Sequence, residues 1–203
     1  MYINDSIKKY LDDLAAKKPA PGGGSAGALA GALASGLVSM VANFSIDKNL
    51  PNEQKIKEVL KRSEDLRKKF SNLLDEDIEV YEQLSSIFKL PRESGDRKEK
   101  MQQALKKAAE VPLKITELGV EIMRLNKELF PICNERLISD IGVSLSLAYS
   151  SIEIGILNVE INLASIKDEQ FNKTCKEKLE NFTKTACQIK NEVYPQVEKK
   201  IIK

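Results

Sequence analysis

The chain is predicted to be all-α, a multihelical bundle around one buried central helix. Three observations carry this. Apolar residues recur at three- and four-residue spacing through the long segments, and nothing alternates like a strand. Aromatics are scarce at 5%, Trp is absent, and the balance toward Leu, Ile, Ala, Lys and Glu favours helices. Between Lys18 and Asp47 the chain carries no charge, reading PAPGGGSAGALAGALASGLVSMVANFSI, although 31% of all residues are charged. An element of that kind needs other elements around it. At 203 residues the chain fits one domain spanning 1–203.

The first segment, MYINDSIKKYLDDLAAKKP, places Ile3, Ile7, Tyr10, Leu11 and Leu14 on one face of an amphipathic helix and is no signal peptide. The uncharged helix is expected from about Ser25 to Ser45. Its small residues Gly27, Gly31 and Gly36 suit close packing by other helices, which would bury Leu33. Gly22 to Gly24 read equally well as a plain turn or as a loop that offers main-chain amides to a ligand. The charged turn DKNLPNEQ follows, with Pro51 suited to a helix start, and a long helix runs to about Phe88. KLPRESGD interrupts it. The next helix is expected from Asp96 to Phe130, kinked near Pro112 and closed by Pro131. From Ser139 to Ile166 only Glu153 and Glu160 are charged after Asp140, which marks a second core helix. Asp168 is the expected N-cap of a last helix carrying Phe171, Cys175, Leu179, Phe182, Ala186, Ile189, Val193 and Val197 at helical spacing.

Several function classes are set aside by composition. Net charge is +2, from 32 basic and 30 acidic residues that interleave, so no basic face for nucleic acid or anionic lipid is expected. Gly22-x-Gly24-x-x-Gly27 satisfies a dinucleotide fingerprint literally but follows an amphipathic helix rather than a buried strand. No Gly-Lys-Ser/Thr follows it, so it is not a phosphate P-loop. The uncharged helix is long enough to span a bilayer, yet its Ala, Gly and Ser content argues for enclosure by protein. Cys133, Cys175 and Cys187 are odd in number, and with no His a zinc site lacks ligands; reduced cysteines in a cytoplasmic protein, without a metal, are expected.

Two carboxylates stand where apolar residues are expected. On the third long segment Leu66, Phe70, Leu73, Val80, Leu84 and Ile87 form a stripe, and Asp77 fills the missing step. A carboxylate there costs several kcal/mol unless it is hydrogen-bonded or its pKa rises, so it is either locally satisfied or used for proton transfer. Asp75, about 200° around the helix, is expected to face solvent. A second stripe of Asp140, Ser144, Ala148, Ser151, Gly155, Asn158 and Asn162 reads either as a small-residue packing seam capped at Ser139 and Asp140 or as the polar wall of a cleft.

These residues resemble the cyclodeaminase/cyclohydrolase family of folate enzymes over nearly the whole chain. The family's P-x-P-G-G-G-S, followed by an Ala/Gly helix ending S-M-V-A-N, is similar to Pro19 to Asn43, and its acidic landmark D-x-x-x-[FY] to Asp77 through Tyr81. Leu90-Pro91, Val111 to Leu113, Ser139-Asp140 and Asn158 to Asn162 follow in the family's order; Cys133-Asn134 stands where Gly-Asn is common. The resemblance implies a homodimer acting on a reduced folate with no further cofactor. The implied reaction closes 5-formimidoyltetrahydrofolate to 5,10-methenyltetrahydrofolate with loss of ammonia, N10 attacking the formimino carbon while an acid protonates departing nitrogen. The alternatives are hydrolysis of the methenyl ring to 10-formyltetrahydrofolate, or a non-catalytic helical folate-binding protein or scaffold. By the same resemblance Asp77 is the acid–base candidate and Asp140 the second polar anchor. Pro21, Gly22, Gly23, Gly24, Ser25, Asn43, Tyr81, Asn134, Ser139, Asn158 and Asn162 are then the ligand-facing candidates.

Overall fold

The computed structural model of the protein describes residues 1–46, 51–91 and 96–202. Six α-helices form it, with no strand among the described residues: α1 Ile7–Ala15, α2 Gly23–Ser45, α3 Glu53–Phe88, α4 Arg97–Leu129, α5 Ile138–Leu163 and α6 Glu169–Ile201. Short 3₁₀ turns precede α1 at Tyr2–Asn4 and join α4 to α5 at Phe130–Ile132 and Glu135–Leu137. The turns read at 47–54 and 89–96 lie partly outside the described residues. Local signals explain several helix ends. The Ser6 hydroxyl accepts from the Lys9 amide at 3.1 Å, and Asp168 Oδ1 accepts from Phe171 N at 2.9 Å, as its N-cap position requires.

Helix α2 lies between α3 and α5, with α4 against both inner helices and α6 on the far side of α5. α2 and α5 run antiparallel, because Ser144 Oγ donates to Ala34 O at 3.0 Å while Ser151 Oγ donates to Gly27 O at 2.7 Å. The serines that made the α5 stripe look like a cleft wall are thus a packing seam over most of its length. Glycine lets this seam and the α2–α3 contact close up: a Cβ at Gly31 would stand 2.5 Å from Cδ1 and Cζ of the fully buried Phe70.

Two expectations are corrected. α2 is not enclosed all round, since three neighbours cover three sides and leave a stripe open on which Leu33 is 54% exposed and Phe44 also faces out. α5 is open too, at Val143, Leu157 and Ile161. Both inner helices are long and apolar enough to cross a membrane by length and composition, with mean hydropathies of 1.6 for α2 and 1.3 for 135–163. The apolar face of the first segment does not enter the core either: Ile3, Ile7, Leu11 and Leu14 are exposed, and Tyr10 alone in α1 is buried. As expected, a single helix, α4, spans Pro112. Proline has no N–H for the Ala108 carbonyl one turn back, and Asn162 Nδ2 of α5 donates to that carbonyl instead at 3.0 Å.

Candidate active site

The first turn of α2 builds the site. Gly22 is the N-cap residue, and the helix begins at Gly23, two residues before the expected start. Every described glycine has a φ outside the left-handed region, so Gly22 to Gly24 serve close approach rather than backbone freedom. A Cβ on Gly24 would overlap the Asp77 carboxyl group, and one on Gly23 would stand 3.3 Å from Asn158 Nδ2. The amides of Gly23 and Gly24, as the first two of the helix, have no intrahelical acceptor. The Ser25 amide, next along the same turn, favours the ionised form of Asp77.

Around this turn opens a cavity of about 470 Å³. α3 contributes Asp77, Val80, Tyr81, Leu84 and Phe88, α4 contributes Leu105, Ala108 and Pro112, and α5 contributes Asn158, Ile161 and Asn162. Tyr81 and Phe88 are exposed at its rim, 46% and 57%, and offer ring faces to a planar ligand. Asn158 Nδ2 donates to Ile154 O at 2.8 Å and Asn162 Nδ2 to Asn158 O at 2.7 Å, which leaves their amide oxygens as acceptors.

Among the described lining residues Asp77 is the only charged one. Burial in this mostly apolar cavity pushes its pKa up from 3.8 to about 6, against the opposing effect of the Ser25 amide. A group of that kind exchanges protons near neutral pH.

The sequence-derived candidates separate into two groups. Gly22, Gly23, Gly24, Asp77, Tyr81, Asn158 and Asn162 line the cavity together; Pro21, after a cis Ala20–Pro21 peptide, and Ser25 are buried just behind it. Asn43, Asn134, Ser139 and Asp140 gather at the opposite end of α2 and α5, where Asn134 N donates to Ser45 Oγ at 2.8 Å. At 1.5 Å per residue, Asn43 is about 30 Å from Gly23 and Asp140 about 27 Å from Asn158. Asp140 therefore does not share a cavity with Asp77 within one chain.

Asp75 also departs from expectation. It is 6% exposed, because the amino-terminal turn packs across α3 and the Tyr2 amide donates to its Oδ1 at 2.5 Å, while its Oδ2 has no partner. Sequence reasoning missed Gly24 as a contact of Asp77, the apolar floor at Leu105 and Ala108, and the rim residue Phe88. Only the helical spacing of Tyr81 and Phe88, seven residues apart, signalled the last.

A family model described as formiminotransferase-cyclodeaminase matches residues 6–181. The chain is 33% identical over 204 aligned positions to a methenyltetrahydrofolate cyclohydrolase of Methylorubrum extorquens, covering 98% of each chain. It is 23% identical to the formimidoyltransferase-cyclodeaminase of Rattus norvegicus over 91% of this chain but only 35% of that one. The crystal structure of a formiminotetrahydrofolate cyclodeaminase from Thermotoga maritima superposes with a TM-score of 0.88 at 30% identity, over 98% of this chain and 97% of that one. With a full-length fold in common and the family model spanning most of its residues, this chain belongs to the formiminotransferase-cyclodeaminase family.

Proposed function

We propose that the chain is a folate one-carbon enzyme that converts 5-formimidoyltetrahydrofolate to 5,10-methenyltetrahydrofolate and ammonia. The observation that carries this reading is a single buried carboxylate in an otherwise uncharged cavity. The formimidoyl carbon is part of a cationic amidinium and the product is itself a cation, so a lone carboxylate is the complement both need. N10 attacks the amidinium carbon, Asp77 takes the N10 proton and hands it to the departing nitrogen, and the C–N bond breaks with release of ammonia. Atoms and charge balance without any group beyond the folate. The rings of Tyr81 and Phe88 would hold the planar pterin, and the free amides of Gly23 and Gly24 its oxygens.

Hydrolysis of the methenyl carbon is the second reading, favoured by the identity to the Methylorubrum cyclohydrolase. There Asp77 takes a proton from attacking water. Purified protein given each folate separately distinguishes them: ammonia release from the formimidoyl compound supports the first, loss of methenyl absorbance with 10-formyl product supports the second, and neither supports a non-catalytic role.

The open apolar stripes of α2 and α5 favour a homodimer that covers them, the commonest closed assembly. Its counterpart is a soluble cytoplasmic protein with reduced cysteines and no nucleic-acid or membrane partner.

A further inference from the structure

α1 poses a packing question. It is a nine-residue helix whose apolar side chains Ile7, Leu11 and Leu14 stay exposed, and it buries only Tyr10. The Tyr10 hydroxyl lies 3.1 Å from Ser25 Oγ. Ser25 Oγ in turn donates to Gly22 O at 2.9 Å and accepts from Gly22 N at 3.2 Å. A serine hydroxyl has one hydrogen and two acceptor positions. Its hydrogen is on Gly22 O, so Tyr10 is the donor, and the Ser25 hydroxyl is saturated.

The rest of the amino-terminal segment braces Tyr10. The Tyr2 ring packs edge-on to it at 5.7 Å, the Tyr2 hydroxyl donates to Asp13 Oδ2 at 2.7 Å, and the Tyr2 amide is tied to Asp75. The segment thus touches α3 at Asp75 and reaches it again through the first turn of α2, where Gly24 abuts Asp77.

We propose that Tyr10 is a positioning residue for this site: its hydroxyl fixes Ser25, and through it the turn of α2 whose Gly24 abuts the Asp77 carboxyl group. The inference rests on the proton-transfer role assigned to Asp77, but its first test does not require turnover. Among the described residues, Tyr81 on α3 lines the same cavity and Tyr10 on α1 interacts with Asp77 electrostatically. From α4 and α5 it is faced by the uncharged Leu105, Ala108, Pro112, Asn158 and Asn162. A change in its titration therefore reports the Ser25 amide.

The experiment is a ¹³C carboxyl titration of Asp77 by NMR in wild type, Tyr10→Phe, Ser25→Ala and Ser25→Thr, with kcat and KM measured alongside. The Ser25 amide holds the carboxylate form down in pKa, so loosening it moves the midpoint upward, by about 0.5 or more in Tyr10→Phe and Ser25→Ala, while Ser25→Thr restores the wild-type midpoint. kcat should fall about tenfold or more with KM little changed, as for a misaligned acid–base group. If Tyr10→Phe does not fold, the Ser25 pair decides. A wild-type midpoint in folded Tyr10→Phe or Ser25→Ala overturns the proposal even if activity drops. A raised midpoint in a protein inactive on both folates upholds the positioning role and refutes the functional reading instead.

Discussion

Gly24→Ala separates stability from function in a way the structure makes quantitative. The three atoms nearest to a Cβ at Gly24 all belong to the Asp77 carboxyl group, with Cγ at 2.5 Å, Oδ2 at 2.7 Å and Oδ1 closer still. Ordinary contact distances start near 3.5 Å, so the carboxyl group must swing away by about 1 Å. Displacement of a reacting group on that scale costs about 10²-fold in rate, equivalent to about 2.7 kcal/mol of barrier. Folding should not suffer, because Ala gains about 0.5–1 kcal/mol over Gly in a helix and the obstructing group borders a cavity. Gly31→Ala is the comparison. Its Cβ meets the buried Phe70 ring, where overpacking costs about 1–3 kcal/mol and lowers Tm by a few degrees. The assay is kcat/KM with either folate beside a thermal melt. A Gly24→Ala enzyme within about threefold of wild type would refute the claim that the carboxyl position matters.

Three further outcomes are expected. Asp77, raised to about 6 in the folded protein against 3.8 unfolded, takes up protons on folding between those values, so its burial destabilises the protein above pH 6 and ceases to do so below about pH 4. Asp77→Asn should therefore melt a few degrees higher than wild type at pH 7.5 and lose that advantage by pH 4; an unchanged or lower Tm at pH 7.5 would count against the buried charge. Leu33→Lys, on the exposed stripe, should fold with wild-type helicity yet scatter light as a 22.7 kDa monomer, and a dimer mass would remove α2 from the interface. Asn162→Ala strands the Ala108 carbonyl at Pro112 and should cost about 1–3 kcal/mol by denaturant titration; a loss under about 0.5 kcal/mol would mean that water takes over.

The helices, the Asp168 cap and the anomaly at Asp77 were legible in the sequence because each depends on spacing within one helix. What was not legible depends on contacts between distant segments. Asp75 is buried by a hydrogen bond from Tyr2, 73 residues away, and helical angle alone placed it in solvent. Leu33 lies on a helix without charge, and such a helix reads the same whether its last face meets another helix, a second copy or water. Pro112 signalled a kink, but its orphaned carbonyl found Asn162, which no local rule pairs with it. The resemblance named Asn43, Asn134, Ser139 and Asp140 as site candidates together with the glycine turn, and sequence order does not reveal that the lengths of α2 and α5 hold them at the other end of this chain's bundle.

The central claim is that Asp77 moves the proton, and the most direct measurement is kcat/KM for Asp77→Asn and wild type on 5-formimidoyl- and 5,10-methenyltetrahydrofolate across pH. Asn keeps the size of the group and an acceptor oxygen but exchanges no proton. Wild-type kcat/KM should rise through about pH 6 as the carboxylate forms, while Asp77→Asn should be lower by about 10²-fold or more and lack that limb. Asp75→Asn, which still accepts from the Tyr2 amide and lies outside the cavity, should keep both rate and limb. Wild-type turnover and an unchanged limb in Asp77→Asn would make Asp77 a structural carboxylate and contradict the account.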